Sequence, residues 1–126
     1  MTLRSAAPRP RLVALGVATV DPERWSAEHG LPAPTPGADE PSLGARSALM
    51  VGGAVTTVLL EPTTEGRLAA ALARHGEGPV CVYMEGVDAD GVNAMPVAPT
   101  ALGRPGRLVR PDSPSGPFVI MVDPAG

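Results

Sequence analysis

Residues 51–88 read VGGAVTTVLLEPTTEGRLAAALARHGEGPVCVYMEGVD, a pattern of strand, turn, helix, turn and strand. Thr56 to Leu60 is a β-branched and aliphatic run closed by Glu61-Pro62. Proline has no N–H for the next rung of a ladder, so the strand ends there. A helix follows, capped by Thr63 or Thr64. Leu68 and Leu72 stand four apart among alanines, and Gly76 takes the place of a C-terminal glycine after Arg74-His75. The next strand begins at Val80.

Outward from this stretch the chain repeats itself. VALGVATVD, from residue 13, lies over VCVYMEGVD, from residue 80, an offset of 67 at which valine, valine and aspartate coincide. AVTTVLLEP, ending at Pro62, lies over GPFVIMVDP, ending at Pro124, an offset of 62 with acid-proline closing both. Two copies of one supersecondary unit make a pseudo-symmetric domain rather than a solenoid.

The order VLLEP, RLAAALARHGEGP, VCVYMEGVD resembles the vicinal oxygen chelate superfamily, the glyoxalase, methylmalonyl-CoA epimerase and bleomycin-resistance group. The resemblance covers most of residues 11–125. It implies an α+β fold of two βαβββ modules, each curling a small sheet into a half-barrel beside a ligand cavity. The division is then a tail at 1–10, a first module at 11–62, and a connecting helix with the second module at 63–126.

Composition bounds the function. The 126 residues suit one domain or two small modules sharing a core. Ten basic against thirteen acidic residues give a net charge of −3, which offers no phosphate-backbone footprint. Trp25, Tyr83 and Phe118 are the only aromatics, too few for a base-stacking platform, so nucleic acid is set aside. The lone Cys81 excludes an internal disulfide framework and fits a reducing compartment, with the cytoplasm as default. The longest mostly apolar run, 48–60, is broken by Gly52-Gly53 and Thr56-Thr57 and is too short to span a bilayer. Arg4, Arg9 and Arg11 before LVALGVATV imitate a signal peptide, but Asp21-Pro22-Glu23-Arg24 follows instead of a small-residue cleavage site. Richness in Ala, Gly, Pro and Arg hints at a high-GC bacterial source.

Along the chain, a strand is predicted over Leu12 to Val20. Asp21 then caps a short helix with Pro22 at its first position, ending near His29-Gly30. The prolines of 32–37 forbid helix and central strand alike, which shortens the module's second strand or turns it into loop. Residues 47–51 and 55–60 form a hairpin through Gly52-Gly53. Beyond Asp88, a helical turn or two reaches Met95; prolines dominate the rest, leaving strands at 107–110 and 118–123. Trimmed modules leave sheet edges that a twofold partner could cover as a homodimer.

In metal-dependent members of the resembled superfamily, four ligands sit on the first and last strands of each module. Matched motif to motif, those positions are Ala14, Val58, Cys81 and Ile120. Three lack a donor, and one thiol cannot hold a divalent metal that needs three or four, so no metal or other cofactor is expected. His29 and His75 stand at predicted helix ends, where bonding to terminal carbonyls explains them.

Strand alternation supplies the candidate site. Cys81, Tyr83 and Glu85 share one face; so do Phe118, Ile120 and Val122, Ala14, Gly16 and Ala18, and Thr56, Val58 and Leu60. An apolar wall carrying a phenol, a carboxylate and a thiol is the pattern of a small-molecule pocket. Tyr83 and Glu85 are the candidate acid and base, with Ala14, Thr56, Val58, Leu60, Cys81, Phe118, Ile120 and Val122 as lining. If Phe118 and Val122 enclose Glu85, its pKa should rise. Each has a plainer alternative: Tyr83 packed with its hydroxyl at a barrel rim, Glu85 in solvent, Cys81 a small buried hydrophobe, Asp21 and Asp88 helix caps. Arg104, Arg107 and Arg110 are either a rim for an anionic group or solvated surface.

Two functions stay open. One is a metal-independent isomerase, cyclase or lyase acting on an apolar carbonyl compound, such as a polyketide-like secondary metabolite. The other is a small-molecule binding or resistance protein of the bleomycin-resistance type.

Overall fold

A computed structural model describes residues 9–51, 54–87 and 91–124. Eight strands form one curled, open sheet: β1 (Arg11–Ala18), β2 (Thr35–Pro36), β3 (Ala45–Met50), β4 (Thr56–Pro62), β5 (Gly78–Glu85), β6 (Ala98–Pro99), β7 (Pro105–Leu108) and β8 (Phe118–Val122). The helices are α1 (Pro22–Glu28) and α2 (Arg67–His75).

The sheet order is β2-β3-β4-β1-β5-β8-β7-β6, so each half runs outward from the centre in the same sequence. β1 and β5 are antiparallel neighbours; β1 pairs parallel with β4, and β5 parallel with β8. The register matches the repeat in the sequence. Ala14 faces Thr56 and Gly16 faces Val58 in the first half. At offsets of 67 and 62 these become Cys81 facing Phe118 and Tyr83 facing Ile120, the pairs found in the second. Across the centre Ala14 pairs with Tyr83 and Gly16 with Cys81, which exchange under the same operation.

Local chemistry explains most of the elements. Asp21 caps α1, its carboxylate accepting the Arg24 amide at 3.1 Å. The 32–37 proline run yields only the two-residue β2, at the sheet edge where a missing N–H costs nothing. β6, also two residues and also an edge, was not foreseen in the sequence. The β3–β4 pairing is antiparallel as a hairpin requires, though its Gly52-Gly53 turn lies outside the described residues, as does Asp88. Of the one or two helical turns expected from Asp88 to Met95, residues 88–90 lie outside the described residues, and Gly91 stands in a 3-10 turn.

The cap of α2 needs correction: it is Gly66, with no side-chain bond, not Thr63 or Thr64. The backbone amide of Thr63 donates to the Gly44 carbonyl, extending the β3–β4 end of the sheet, so the helix starts later. The Leu68 amide finds the Leu43 carbonyl at 3.0 Å. Gly76 ends the helix at φ 77, a left-handed conformation that glycine adopts freely. Leu68 and Ala71 of α2 pack fully buried against Ala14, Ala18, Val58 and Leu60. Burying a leucine side chain contributes about 1.5–3 kcal/mol, which outweighs the lack of a side-chain cap. Among the described residues no helix is long and apolar enough to cross a membrane.

Candidate functional site

β1, β4, β5 and β8 present one face to the core, and the sequence candidates collect there. Ala14, Val58 and Leu60 are fully buried, and Cys81, Phe118, Ile120 and Val122 nearly so; Thr56 is half-buried. The positions matched to metal ligands thus carry three apolar side chains and one thiol. Among the described residues no group of three His, Cys, Asp or Glu side chains is placed to hold a metal ion. His29 and His75 are exposed at the helix ends; a ring nitrogen of His29 lies 2.8 Å from the Trp25 carbonyl, and its ring stacks on the indole at 3.9 Å.

Tyr83 stands at the centre of this face rather than at a rim, fully buried. Its hydroxyl donates to Glu40 Oε1 at 2.8 Å. The same oxygen accepts the Ala101 amide at 3.0 Å. Glu40 lies in the turn between β2 and β3, and Ala101 in the turn between β6 and β7, so one carboxyl ties a turn of each half to the central strand. Glu40 is itself fully buried, and among the described residues its Oε2 has no hydrogen-bond partner.

Burial pushes the Glu40 pKa up, against the Ala101 amide, the Tyr83 hydroxyl and the nearby Ser42 amide, which pull it down. Burial likewise raises Tyr83 well above the phenol range, with the neighbouring Cys81 and Glu40 adding to it. Cys81 is also raised, chiefly by burial and then by Glu40. A thiol held protonated is the small hydrophobe of the plainer reading, not an activated nucleophile.

Glu85 is two residues beyond Tyr83 at the end of β5, and there the environment reverses. Its carboxylate oxygens meet two guanidinium groups. Arg104 donates to its Oε2 at 2.9 Å, and Arg11 forms a close ion pair with its Oε1. The Arg104 bond and then the Arg11 bond hold its pKa below the usual carboxylate value, the opposite of the rise expected from an apolar enclosure. Arg104 is committed to Glu85 and the Asp123 carbonyl, so it forms no open rim with Arg107 and Arg110.

Sequence reasoning missed Glu40. It sits among Pro36, Gly37 and Pro41, where an acid reads as solvated loop, and no local pattern shows that the turn folds inward. The faint signal was Tyr83 itself: a phenol on a buried face needs an acceptor, and the facing strands offered none.

No protein-family model matches the sequence, and among curated proteins no significant match is found. Solved structures do match. Methylmalonyl-CoA epimerase from Mycobacterium tuberculosis aligns with a TM-score of 0.73 and 21% identity, over 99% of this chain and 94% of that one. A Streptomyces coelicolor methylmalonyl-CoA epimerase variant in complex with 2-nitronate-propionyl-CoA aligns at 0.70 and 24%, over 92% and 98%. A hypothetical protein from Bacillus halodurans C-125 aligns at 0.70 and 20%, over 93% and 96%. With the register shared by the two halves and these neighbours, the chain has the fold of the methylmalonyl-CoA epimerases it aligns with.

Proposed function

We propose that the chain is a metal-independent isomerase that moves a proton on an apolar, carbonyl-bearing small molecule, with Tyr83 and Glu40 as the working pair. One observation carries this reading: a carboxyl buried at the junction of the two halves, with one oxygen held by Tyr83 and Ala101 and the other without a partner among the described residues. A carboxylate whose pKa is raised is a stronger base near neutrality. In the proposed step Glu40 Oε2 takes the proton from the carbon beside the carbonyl. The C–H bond breaks, an O–H bond forms, and the electron pair moves onto the carbonyl oxygen. The Tyr83 hydroxyl turns from Oε1 to that oxygen, while the Ala101 amide keeps Oε1 in place. The planar enolate then turns in the site and takes the proton back from Glu40 Oε2 on its other face as the carbonyl re-forms, which completes an epimerisation with no external reactant.

The reading keeps Tyr83 in the role the sequence gave it and moves the carboxylate role from Glu85 to Glu40. Glu85, ionised between two guanidinium groups, fixes the end of β5. Substrate entry requires the turns carrying Glu40 and Ala101 to part. Structural neighbours that are methylmalonyl-CoA epimerases support isomerisation as the reaction class, although a fold by itself does not assign one. The apolar donor set at Ala14, Val58 and Ile120 supports independence from a metal.

The test is exchange of the α-proton for deuterium in D₂O, followed by NMR over a panel of ketones and acyl thioesters. Glu40→Gln and Tyr83→Phe should each slow exchange by about 10² to 10⁴, and Glu85→Gln by only a few-fold. Unchanged exchange in Glu40→Gln ends the proposal. A second reading, binding without turnover, draws on a cleft of about 500 Å³ between Leu31, Ala33, Leu49, Met50 and Thr57. It takes over if a ligand binds tightly and no panel member exchanges.

A further inference from the structure

Four described arginines are committed to carboxylates: Arg11 and Arg104 to Glu85, Arg24 to Glu28 and Glu77, and Arg46 to Glu61. Arg67 and Arg110 form no ion pair among the described residues. Each is steadied by a neutral acceptor instead. Arg67 reaches the Ser42 carbonyl at 3.4 Å, and Arg110 Nε donates to Asn93 Oδ1 at 3.0 Å.

These two side chains come from different parts of the chain, the start of α2 and the segment after β7, and they line one open cleft of about 570 Å³. The other walls include Ala70, Met95, Pro111 and Pro114, and no carboxylate is on the lining. Glu65 and Asp112, the chain neighbours of Gly66 and Pro111, are exposed and off it. A second cleft shares Ala70 and Pro114 and continues along α2 to Arg74. Seven residues of helix separate Arg67 from Arg74, roughly 10 Å. Two guanidinium groups on a cleft whose lining holds no carboxylate attract an anion.

We propose that this cleft binds an organic anion. Its oxyanion head, a carboxylate or a phosphate, sits between the Arg67 and Arg110 forks, and its apolar body lies against Ala70, Met95 and Pro114. Guanidinium groups match both heads with paired N–H donors. The site shares no lining residue with Tyr83 or Glu40, so it stands whether or not those residues catalyse anything.

The experiment is calorimetric titration of the full chain at low salt with octanoate, octyl phosphate, 1-octanol and inorganic phosphate. At least one octyl anion should bind saturably and more tightly than either octanol or inorganic phosphate. Arg67→Gln and Arg110→Gln should each weaken that binding about tenfold, and raised NaCl should weaken it in the parent. Whichever octyl anion binds more tightly identifies the head group. Tyr83→Phe should leave the titration as it was. The proposal is overturned if neither octyl anion saturates, if both arginine variants bind like the parent, or if octanol binds as tightly as the anions. Inorganic phosphate binding as tightly as octyl phosphate removes the apolar part of it.

Discussion

The two halves of the sheet share a register and differ in how they fill it. Where the first half has Ala14, Gly16 and Thr56, the second has Cys81, Tyr83 and Phe118. The first half supplies room and the second supplies bulk. Gly16 shows the limit of that room: a Cβ there would stand 2.8 Å from Cys81 Cβ and 3.0 Å from Leu60 Cδ1. The turns divide the work the other way. The β2–β3 turn of the first half sends Glu40 inward, while the β6–β7 turn of the second contributes only a backbone amide. A duplicated fold can thus keep its strand geometry while its centre becomes asymmetric, with the phenol from one copy and the carboxyl from the other.

The largest test of that division is size. Phe118→Ala should cost about 3–5 kcal/mol of unfolding free energy, as core aromatic truncations do. The corresponding Thr56→Ala, half-buried, should cost less than about 1 kcal/mol. Equal losses in denaturant titrations would mean that the halves share the load. Next, Gly16→Ala should cost about 1–3 kcal/mol, because two central strands would have to shift for one methyl group. A neutral result would show that β1 and β5 are looser than their register suggests.

The Tyr83–Glu40 contact comes third. Tyr83→Phe leaves Glu40 Oε1 with the Ala101 amide alone and should cost about 1–3 kcal/mol. Its pH dependence carries a sign. Glu40 has a folded pKa above its ordinary value, so its contribution is fully present below the unfolded pKa and is lost as pH rises through the folded one. Glu40→Gln should flatten that decline in melts taken at successive pH values. A decline of the same slope in the variant would mean that another group sets it.

The smallest effect belongs to the surface, where the halves meet beside α1. Glu77 accepts the Thr19 hydroxyl, the Val20 amide and an Arg24 fork, in that order of influence, and its pKa falls to about 2. A depressed acid contributes stability above its unfolded pKa, and that contribution disappears as pH falls toward 2. Glu77→Gln should therefore lower stability slightly at neutral pH and not at all near pH 2. A loss of the same size at both ends would point to packing instead of charge.

Much of the architecture was readable because it rests on local rules and on repetition. Acid-proline endings, valine spacing and the Gly76 stop located β4, α2, β5 and β8, and the two offsets gave the register that joins them. Alternation along those strands also selected the buried face, since side chains two apart must point the same way. Boundaries drifted where backbone partners are distant. Gly66 caps α2 because Thr63 bonds to Gly44, nineteen residues earlier in the chain.

The site followed the same divide. Tyr83, Cys81 and their apolar neighbours could be assigned to one face from sequence alone, because the strand period is a property of the backbone. The carboxyl that meets Tyr83 could not. Glu40 and Tyr83 are 43 residues apart, and their meeting depends on a turn folding over the sheet. Nor could the state of Glu85 be read, since it depends on Arg11 and Arg104 arriving from two other parts of the chain. Sequence determines which groups share a face; only tertiary structure decides which charges and which desolvated oxygens they meet there, because electrostatic environment is set by distances through space and not along the chain.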